Sequence, residues 1–294
     1  MQGRQSITLG TATPGGGFPL YGEAFAGAVN ATDASLLVEP RNTKGSTENV
    51  PLLETGALDI ALVQGEVANP ALAKASSGLR IVAAMYSSPG MFVVRADTPY
   101  RSIGDLEGQA VAFGAKGSGL TILGRTVIDG LGMDCDRDFR AIYLDKAGDG
   151  PVMVLEGRVA ALWGAGIGWP GFAKVASSPQ GARFIVPGPA EITRILAKHS
   201  FLKRLTVAAG SYPGQEAPIA SLGSWSYVLA RPGFDAGLAY RLARALHGAE
   251  GSLAASLEQA RETTVANTVA AAPRLDLVHP GVLRYFREIG LAPA

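Results

Sequence analysis

The chain has 294 residues, with 26 lysines and arginines against 25 aspartates and glutamates, so its formal net charge is +1. That balance, with no run of like charges, lacks the basic stripe a nucleic-acid binder needs to neutralise phosphates, and it gives no polybasic membrane anchor. Hydrophobic residues at 47% supply a sizeable core, and at about 150 residues per domain the length suggests two domains or one large one.

The first block begins with a short strand over 7–9 and a glycine loop over 10–17. Tyr21, Phe25, Ala28 and Val29 then recur at helical spacing. A strand follows over 36–38, then a short helix marked by Val50 and Leu53 and closed by Gly56, a left-handed cap. A third strand over 58–63 ends at Gln64-Gly65-Glu66, and apolar segments over 79–84 and 91–95 complete the block.

A second block opens after Asp97-Thr98-Pro99. It has a strand over 110–113, a glycine loop over 114–119, and a helix whose face is Leu120, Leu123, Val127, Ile128 and Leu131. A strand over 140–144, a short helix over 151–156 closed by Gly157, and a strand over 159–163 follow. Between Arg158 and Lys174 lie 15 uncharged residues, but glycines and Pro170 interrupt them. A spanning helix needs about 20 apolar residues with a satisfied backbone, so no membrane crossing is expected. Further on, residues 212–218 look like a crossover. The segment 221–230 alternates around Trp225, Tyr227 and Leu229 as a strand, and helices run through Ala270 and again to Gly290.

The two blocks echo one another: Leu53-Glu54-Thr55-Gly56 is answered by Leu155-Glu156-Gly157-Arg158. Alternating strands and helices predict an α/β fold with mostly parallel pairing. Two similar α/β blocks suggest two lobes, 1–96 and 97–219, with 220–294 returning to the first and adding C-terminal helices.

The chemistry-bearing candidates are few. A helix start presents N–H groups without intrahelical acceptors, in the positive field of the helix dipole, and so attracts anions. Gly15-Gly16-Gly17, Asn42-Thr43-Lys44-Gly45-Ser46-Thr47 and Gly117-Ser118-Gly119 could each form such a start, or could simply make the turn from strand to helix. Lys44 and Lys116 sit inside two of these loops and would add charge-assisted hydrogen bonds to an anion. In residues 114–121 Lys116 precedes Gly117, which is the wrong order for a phosphate-binding P-loop. Ser118 has Lys116 two residues before it, where a nucleophile elbow needs glycine. His199, His247 and His279 lie in separate elements without metal spacing, and Cys135 stands between Asp134 and Asp136, which disfavour a thiolate. Trp163, Trp169 and Trp225 lie beside strand ends or glycines, where either a ligand or the core could claim them.

Several stretches recur in order along the chain: Gly15-Gly16-Gly17-Phe18-Pro19-Leu20-Tyr21-Gly22; Thr43-Lys44-Gly45-Ser46-Thr47-Glu48-Asn49 with Leu53, Gly56, Asp59 and Ala61-Leu62-Val63-Gln64; Asp105-Leu106-Glu107-Gly108 with Gly114 and Gly117-Ser118-Gly119; Tyr212-Pro213-Gly214-Gln215; and His279-Pro280-Gly281 with Arg284-Tyr285 and Glu288-Ile289-Gly290. Together they resemble the solute-binding proteins of the TAXI branch of TRAP transporters. The sequence departs from that pattern at Lys44, where glycine is usual, at Leu120, where threonine is usual, and at Ala160, where aspartate is usual.

The resemblance implies a two-lobed periplasmic-binding-protein fold of the second topological type, with a ligand cleft between the lobes. It implies a monomeric, non-enzymatic periplasmic receptor without cofactor or metal, exported although no leader peptide is present in this sequence. Such a receptor would bind a small solute, here a carboxylate such as an acidic amino acid or organic acid, and deliver it to TRAP membrane permease subunits. The candidate ligand contacts are Thr13, Gly16, Gly17, Phe18, Tyr21, Lys44, Gly45, Ser46, Thr47, Gln64, Gly65 and Trp225, with Lys116, Gly117, Ser118, Gly119, Trp163 and Gly164 from the second lobe. The alternatives are the receptor of an ATP-driven importer, a periplasmic sensor, or a transferase on the same fold.

Overall fold

The computed structural model describes residues 4–74, 76–146 and 148–293. In chain order its elements are β1 (Gln5–Gly10), α1 (Gly17–Thr32), β2 (Leu36–Arg41), α2 (Ser46–Glu54), β3 (Ile60–Val63), α3 (Gly65–Ala73) and β4 (Arg80–Arg95). Then come β5 (Ala110–Ala115), α4 (Gly119–Gly130), α5 (Cys135–Asp138), β6 (Arg140–Leu144), α6 (Asp149–Leu155), β7 (Ala161–Ala165), α7 (Pro170–Ala176) and β8 (Ala182–Ile185). The chain finishes with α8 (Pro189–Lys198), β9 (Lys203–Val207), β10 (Ile219–Ala230), α9 (Ala236–Ser256), α10 (Val265–Ala271) and α11 (Pro280–Glu288). The contacts divide it into two units, one holding residues up to 13, 18–86 and from 225 onward, the other 14–17 and 87–224.

In the first unit β1 pairs in parallel with β2 and β3, and β3 pairs antiparallel with the Tyr227–Ala230 part of β10. All four residues of β3 are buried, as expected of a strand covered on both faces. Its core gathers Ile7, Leu9, Tyr21, Phe25, Leu53 and Phe286. Asp59, just before β3, stitches three strands together. Its Oδ2 accepts from the Thr8 backbone N–H and hydroxyl, each at 3.0 Å, and its Oδ1 accepts from Arg231 Nε at 3.1 Å. The Thr8 hydroxyl in turn accepts from the Asp59 N–H at 2.9 Å.

In the second unit β5 pairs in parallel with β6 and β7, while β7 and β8 both pair antiparallel with β4. β9 pairs antiparallel with the Ile219–Gly223 part of β10. Two clusters form the core, one around Phe92, Phe113 and Trp163, the other around Leu162, Trp169 and Phe172.

Gly56 and Gly157 close α2 and α6 with φ of +75° and +71°, the left-handed conformation that their positions predict. The segments 79–84 and 91–95 are one continuous strand, β4. The intervening Ser87-Ser88-Pro89-Gly90 has the composition of a turn, yet it is fully buried. A Cβ on Gly90 would stand 2.4 Å from Trp163 Cη2, so this glycine makes room for an indole instead of bending the chain. The unit boundaries fall inside β4 and β10, between residues 86 and 87 and between 224 and 225, beside the expected 96/97 and 219/220. The strand expected over 159–163 lies at Ala161–Ala165, which puts Trp163 at its centre and not at its end. The helices α3, α7 and α8 and the strands β8 and β9 have no counterpart in the sequence reading. Pro70 sits inside α3, and a proline there disfavours reading a helix.

His279 caps α11: its Nδ1 accepts from the Gly281 N–H at 3.1 Å, and its Nε2 lies 3.0 Å from the Phe234 carbonyl. With Nδ1 accepting, Nε2 carries the proton and donates. Burial, more than any other influence, holds this imidazole below its usual pKa, with Arg80 adding to the effect against the Phe234 carbonyl and Asp235.

Two outcomes follow for stability. Asp59→Ala removes two bonds to Thr8 and the half-exposed Arg231 pair, and should cost about 1–3 kcal/mol. Urea denaturation reads this as a lowered midpoint with unchanged slope, and an unchanged midpoint would contradict the stitching role. A folded-state pKa below the unfolded value means that the unfolded chain binds the His279 proton more readily, so this residue's contribution is complete above about pH 6.5 and declines as pH falls below it. Melting temperatures at pH 8 and pH 5.5 should therefore differ less for His279→Asn than for the unaltered chain. Equal differences would show that His279 titrates alike in both states.

Candidate functional site

The first unit builds its candidate site where β1 and β3 hand over to their helices. The Thr11 carbonyl, one residue past β1, accepts from the Thr43 hydroxyl at 3.0 Å and from Asn49 Nδ2 at 2.8 Å. Asn49 Nδ2 also reaches the Leu62 carbonyl at 2.8 Å, so one fully buried amide on α2 ties the end of β1 to β3. Gly45 precedes α2 with φ +99°, a turn that other residues rarely adopt. Ser46, the first residue of α2, accepts from the Gln64 N–H at 3.0 Å. These bonds bring Ser46, Gln64 and Gly65 together at the start of α3.

Gln64 is 6% exposed, and its side-chain Nε2 has no acceptor among the described residues. Glu66, equally buried in the first turn of α3, places a carboxylate near Tyr227, whose hydroxyl it pushes up together with the larger effect of burial. Lys44 is exposed, with its backbone N–H donating to Glu48 Oε2 at 2.5 Å, and Thr47 is exposed beside it. Thr13, Phe18 and Trp225 are half-buried. Tyr21 is fully buried: its hydroxyl lies 3.0 Å from that of Thr263, and its ring meets the edge of Tyr86. It is held as a core residue of its unit.

In the second unit β5 leads into α4 through Lys116-Gly117-Ser118. Ser118 caps the helix, its Oγ accepting from the Thr121 N–H at 3.2 Å. The Thr121 hydroxyl lies 2.7 Å from the Ala115 carbonyl and 3.1 Å from that of Phe113, which anchors the helix start to the strand end. Ile122 N–H goes to the Ser118 carbonyl at 3.1 Å. The N–H groups of Gly119 and Leu120 have no acceptor among the described residues. Lys116 and Gly117 are exposed above this start, and Ser118 is half-buried. Gly16 and Gly17, half-buried and buried, group with this unit.

Trp163 is wholly buried in its unit, with its Nε1–H donating to the Leu120 carbonyl at 2.9 Å and its ring 4.8 Å from that of Phe92. The indole braces the first turn of α4 from the core side. Gly164 is a packing glycine, since a Cβ there would come within 2.4 Å of Trp169 Cζ3. The sequence reading missed Asn49 and Thr11 as organisers of the first unit. Asn49 stands four residues before Leu53 on the buried face of α2, and a polar side chain in that stripe is the signal that would have found it.

Reactive groups stay away from these helix starts. Burial raises the Cys135 thiol to about 12, with Asp136 and Asp134 adding to the rise and Arg125 opposing it. His199 pairs with Asp129 at 2.7 Å, and His247 lies 2.8 Å from the Tyr285 hydroxyl. Among the described residues no group of three His, Cys, Asp or Glu could hold a metal ion, and no helix is long and apolar enough to cross a membrane.

The fold is shared with several solved structures. One from Bordetella bronchiseptica RB50 matches with a TM-score of 0.60 at 13% identity, over 97% of this chain and 98% of that one. The alkanesulfonate-binding protein SsuA from Xanthomonas axonopodis pv. citri, solved with MOPS bound, matches at 0.51 and 15% identity over 100% of this chain and 86% of that one. A TctC solute binding protein from Polaromonas matches at 0.50 and 18% identity, over 88% and 89%. The expected α/β class and periplasmic-binding-protein fold are borne out by these likenesses. The model of the NMT1-like family matches residues 9–290, and the chain therefore belongs to the NMT1-like family.

Proposed function

We propose that this chain is an extracytoplasmic solute receptor that captures a small carboxylate and delivers it to a TRAP-type membrane permease. The start of α4 carries the reading. Gly119 and Leu120 present two N–H groups with no acceptor among the described residues, the dipole of a 12-residue helix lies behind them, and exposed Lys116 stands beside them. An anion there gains charge-assisted hydrogen bonds of about 1.5–3 kcal/mol each. The first unit offers a second set of groups, with the unspent Gln64 Nε2 donor, the buried Ser46 hydroxyl and exposed Lys44. Membership of the NMT1-like family and a fold shared with proteins described as solute-binding support a receptor over an enzyme.

The ordered sequence motifs favour the TRAP type of partner. A fused multi-span permease encoded beside this chain would support that choice, and a neighbouring ATPase would instead indicate an ATP-driven importer. Buried Glu66, two residues past Gln64, favours a second reading of the solute itself: an amino acid, whose ammonium could meet a carboxylate, over a plain organic acid.

Isothermal titration against paired panels of amino acids and the matching organic acids tests both readings. Lys116→Ala and Lys44→Ala should each weaken the best-bound acid by about tenfold to a hundredfold. Glu66→Gln should weaken the amino acid more than its deaminated partner. Tight binding of a neutral solute, indifferent to both lysine changes, would overturn the carboxylate assignment.

A further inference from the structure

At the other end of the second unit's sheet from the α4 start lies a concave site that the receptor reading does not use. β5, β6 and β7 are parallel, so the residues that open them, Ala110, Arg140 and Ala161, share one edge, and antiparallel β4 ends there at Arg95. A cavity of about 250 Å³ opens at this edge, lined by Arg95, Arg140, Arg158, Tyr100 and Gln109 over an apolar floor that includes Val154 and Val159. Three arginines from three separate stretches of chain thus line one small space, and no aspartate or glutamate lines it.

The hydrogen bonds around this space leave donors in excess. Arg95 is fixed: its Nε and Nη2 bind Asp97 at 3.0 and 3.2 Å, and its Nη1 donates to the Leu155 carbonyl at 3.2 Å. Arg158 uses Nε on Glu156 at 2.6 Å, and its two terminal nitrogens have no partner among the described residues. Arg140, exposed at the start of β6, has no ion-pair or hydrogen-bond partner for its guanidinium among those residues. Asp97 and Glu156 balance two of the three charges, so one positive charge remains. The Tyr100 hydroxyl donates to Gln109 Oε1 at 3.3 Å, which leaves the Gln109 amide as a further donor. A planar guanidinium matches carboxylate, phosphate and sulfate oxygens with paired donors.

We propose that this cavity binds a small oxyanion at a second site, separate from the one that would hold the transported solute. Arg140 and Arg158 supply the mobile donors, and Arg95, held by Asp97 and Leu155, supplies the fixed positive wall.

Inorganic phosphate and sulfate serve as probes, titrated into the full chain and followed by amide NMR shifts. Saturable binding is expected, with shifts centred on residues 95–100, 140 and 156–160. The double variant Arg140→Gln, Arg158→Gln should weaken it at least about tenfold, the loss expected for two charge-assisted bonds, whereas Lys44→Ala with Lys116→Ala should leave it unchanged. In the unaltered chain, phosphate should also protect Arg140 and Arg158 from phenylglyoxal, read by mass spectrometry, a readout that does not depend on any variant folding. Absence of saturable binding, binding lost with the lysines and kept without the arginines, or unprotected arginines at saturating phosphate would each overturn the site. Loss of binding with the lysines would place the probe at the helix starts of the proposed solute site, and the other outcomes leave that site untouched.

Discussion

A helix that begins at the carboxyl end of a strand starts with N–H groups that have no intrahelical acceptor, and much of this chain's polar chemistry is spent on meeting them. At α4 the Ser118 hydroxyl takes the Thr121 N–H and the Ser118 carbonyl takes that of Ile122, which leaves the Gly119 and Leu120 N–H groups without an acceptor among the described residues. At α3 the Gln64 N–H is taken by Ser46, but the Gln64 side-chain amide is left over. The donors that remain are backbone or amide groups, rigidly held, and the exposed Lys44 and Lys116 stand beside such helix starts.

Rigidity behind these donors comes from the core. The Trp163 indole donates to the Leu120 carbonyl from below, and Gly90 and Gly124 leave space for its ring. In the first unit Asn49 and Asp59 do the equivalent work with hydrogen bonds, linking β1, β3 and Arg231 just past the end of β10. A donor held this firmly loses little entropy when a ligand arrives, which is how preorganised sites gain affinity.

The sequence made some of this readable. Gly56 and Gly157 closed their helices where the pattern placed them, and Ser118, Gly119 and Gln64 were visible because strand-to-helix handovers leave a signature of glycine and small hydroxyl residues. Trp163 and Tyr21 were not separable by type, because a large aromatic near a strand end serves a ligand or a core equally well, and in both cases burial within one unit decided for the core. The continuity of β4 was hidden because Ser87-Ser88-Pro89-Gly90 has the composition of a turn, and only the tertiary demand of Trp163 explains Gly90. Asn49 was missed because a buried amide inside an apolar stripe earns its meaning from carbonyls 13 and 38 residues away. The basic cavity at Arg140 brings together residues far apart in sequence, at an edge defined only once β5, β6 and β7 are paired.

The central claim is that the start of α4 captures a small acid. Hydrogen–deuterium exchange, with and without the acid that titration identifies, tests it most directly. The account expects slower exchange at residues 117–120 in a saturating titration, with the midpoint that isothermal titration gives for the same acid. Unchanged exchange at residues 117–120 at saturation would contradict it.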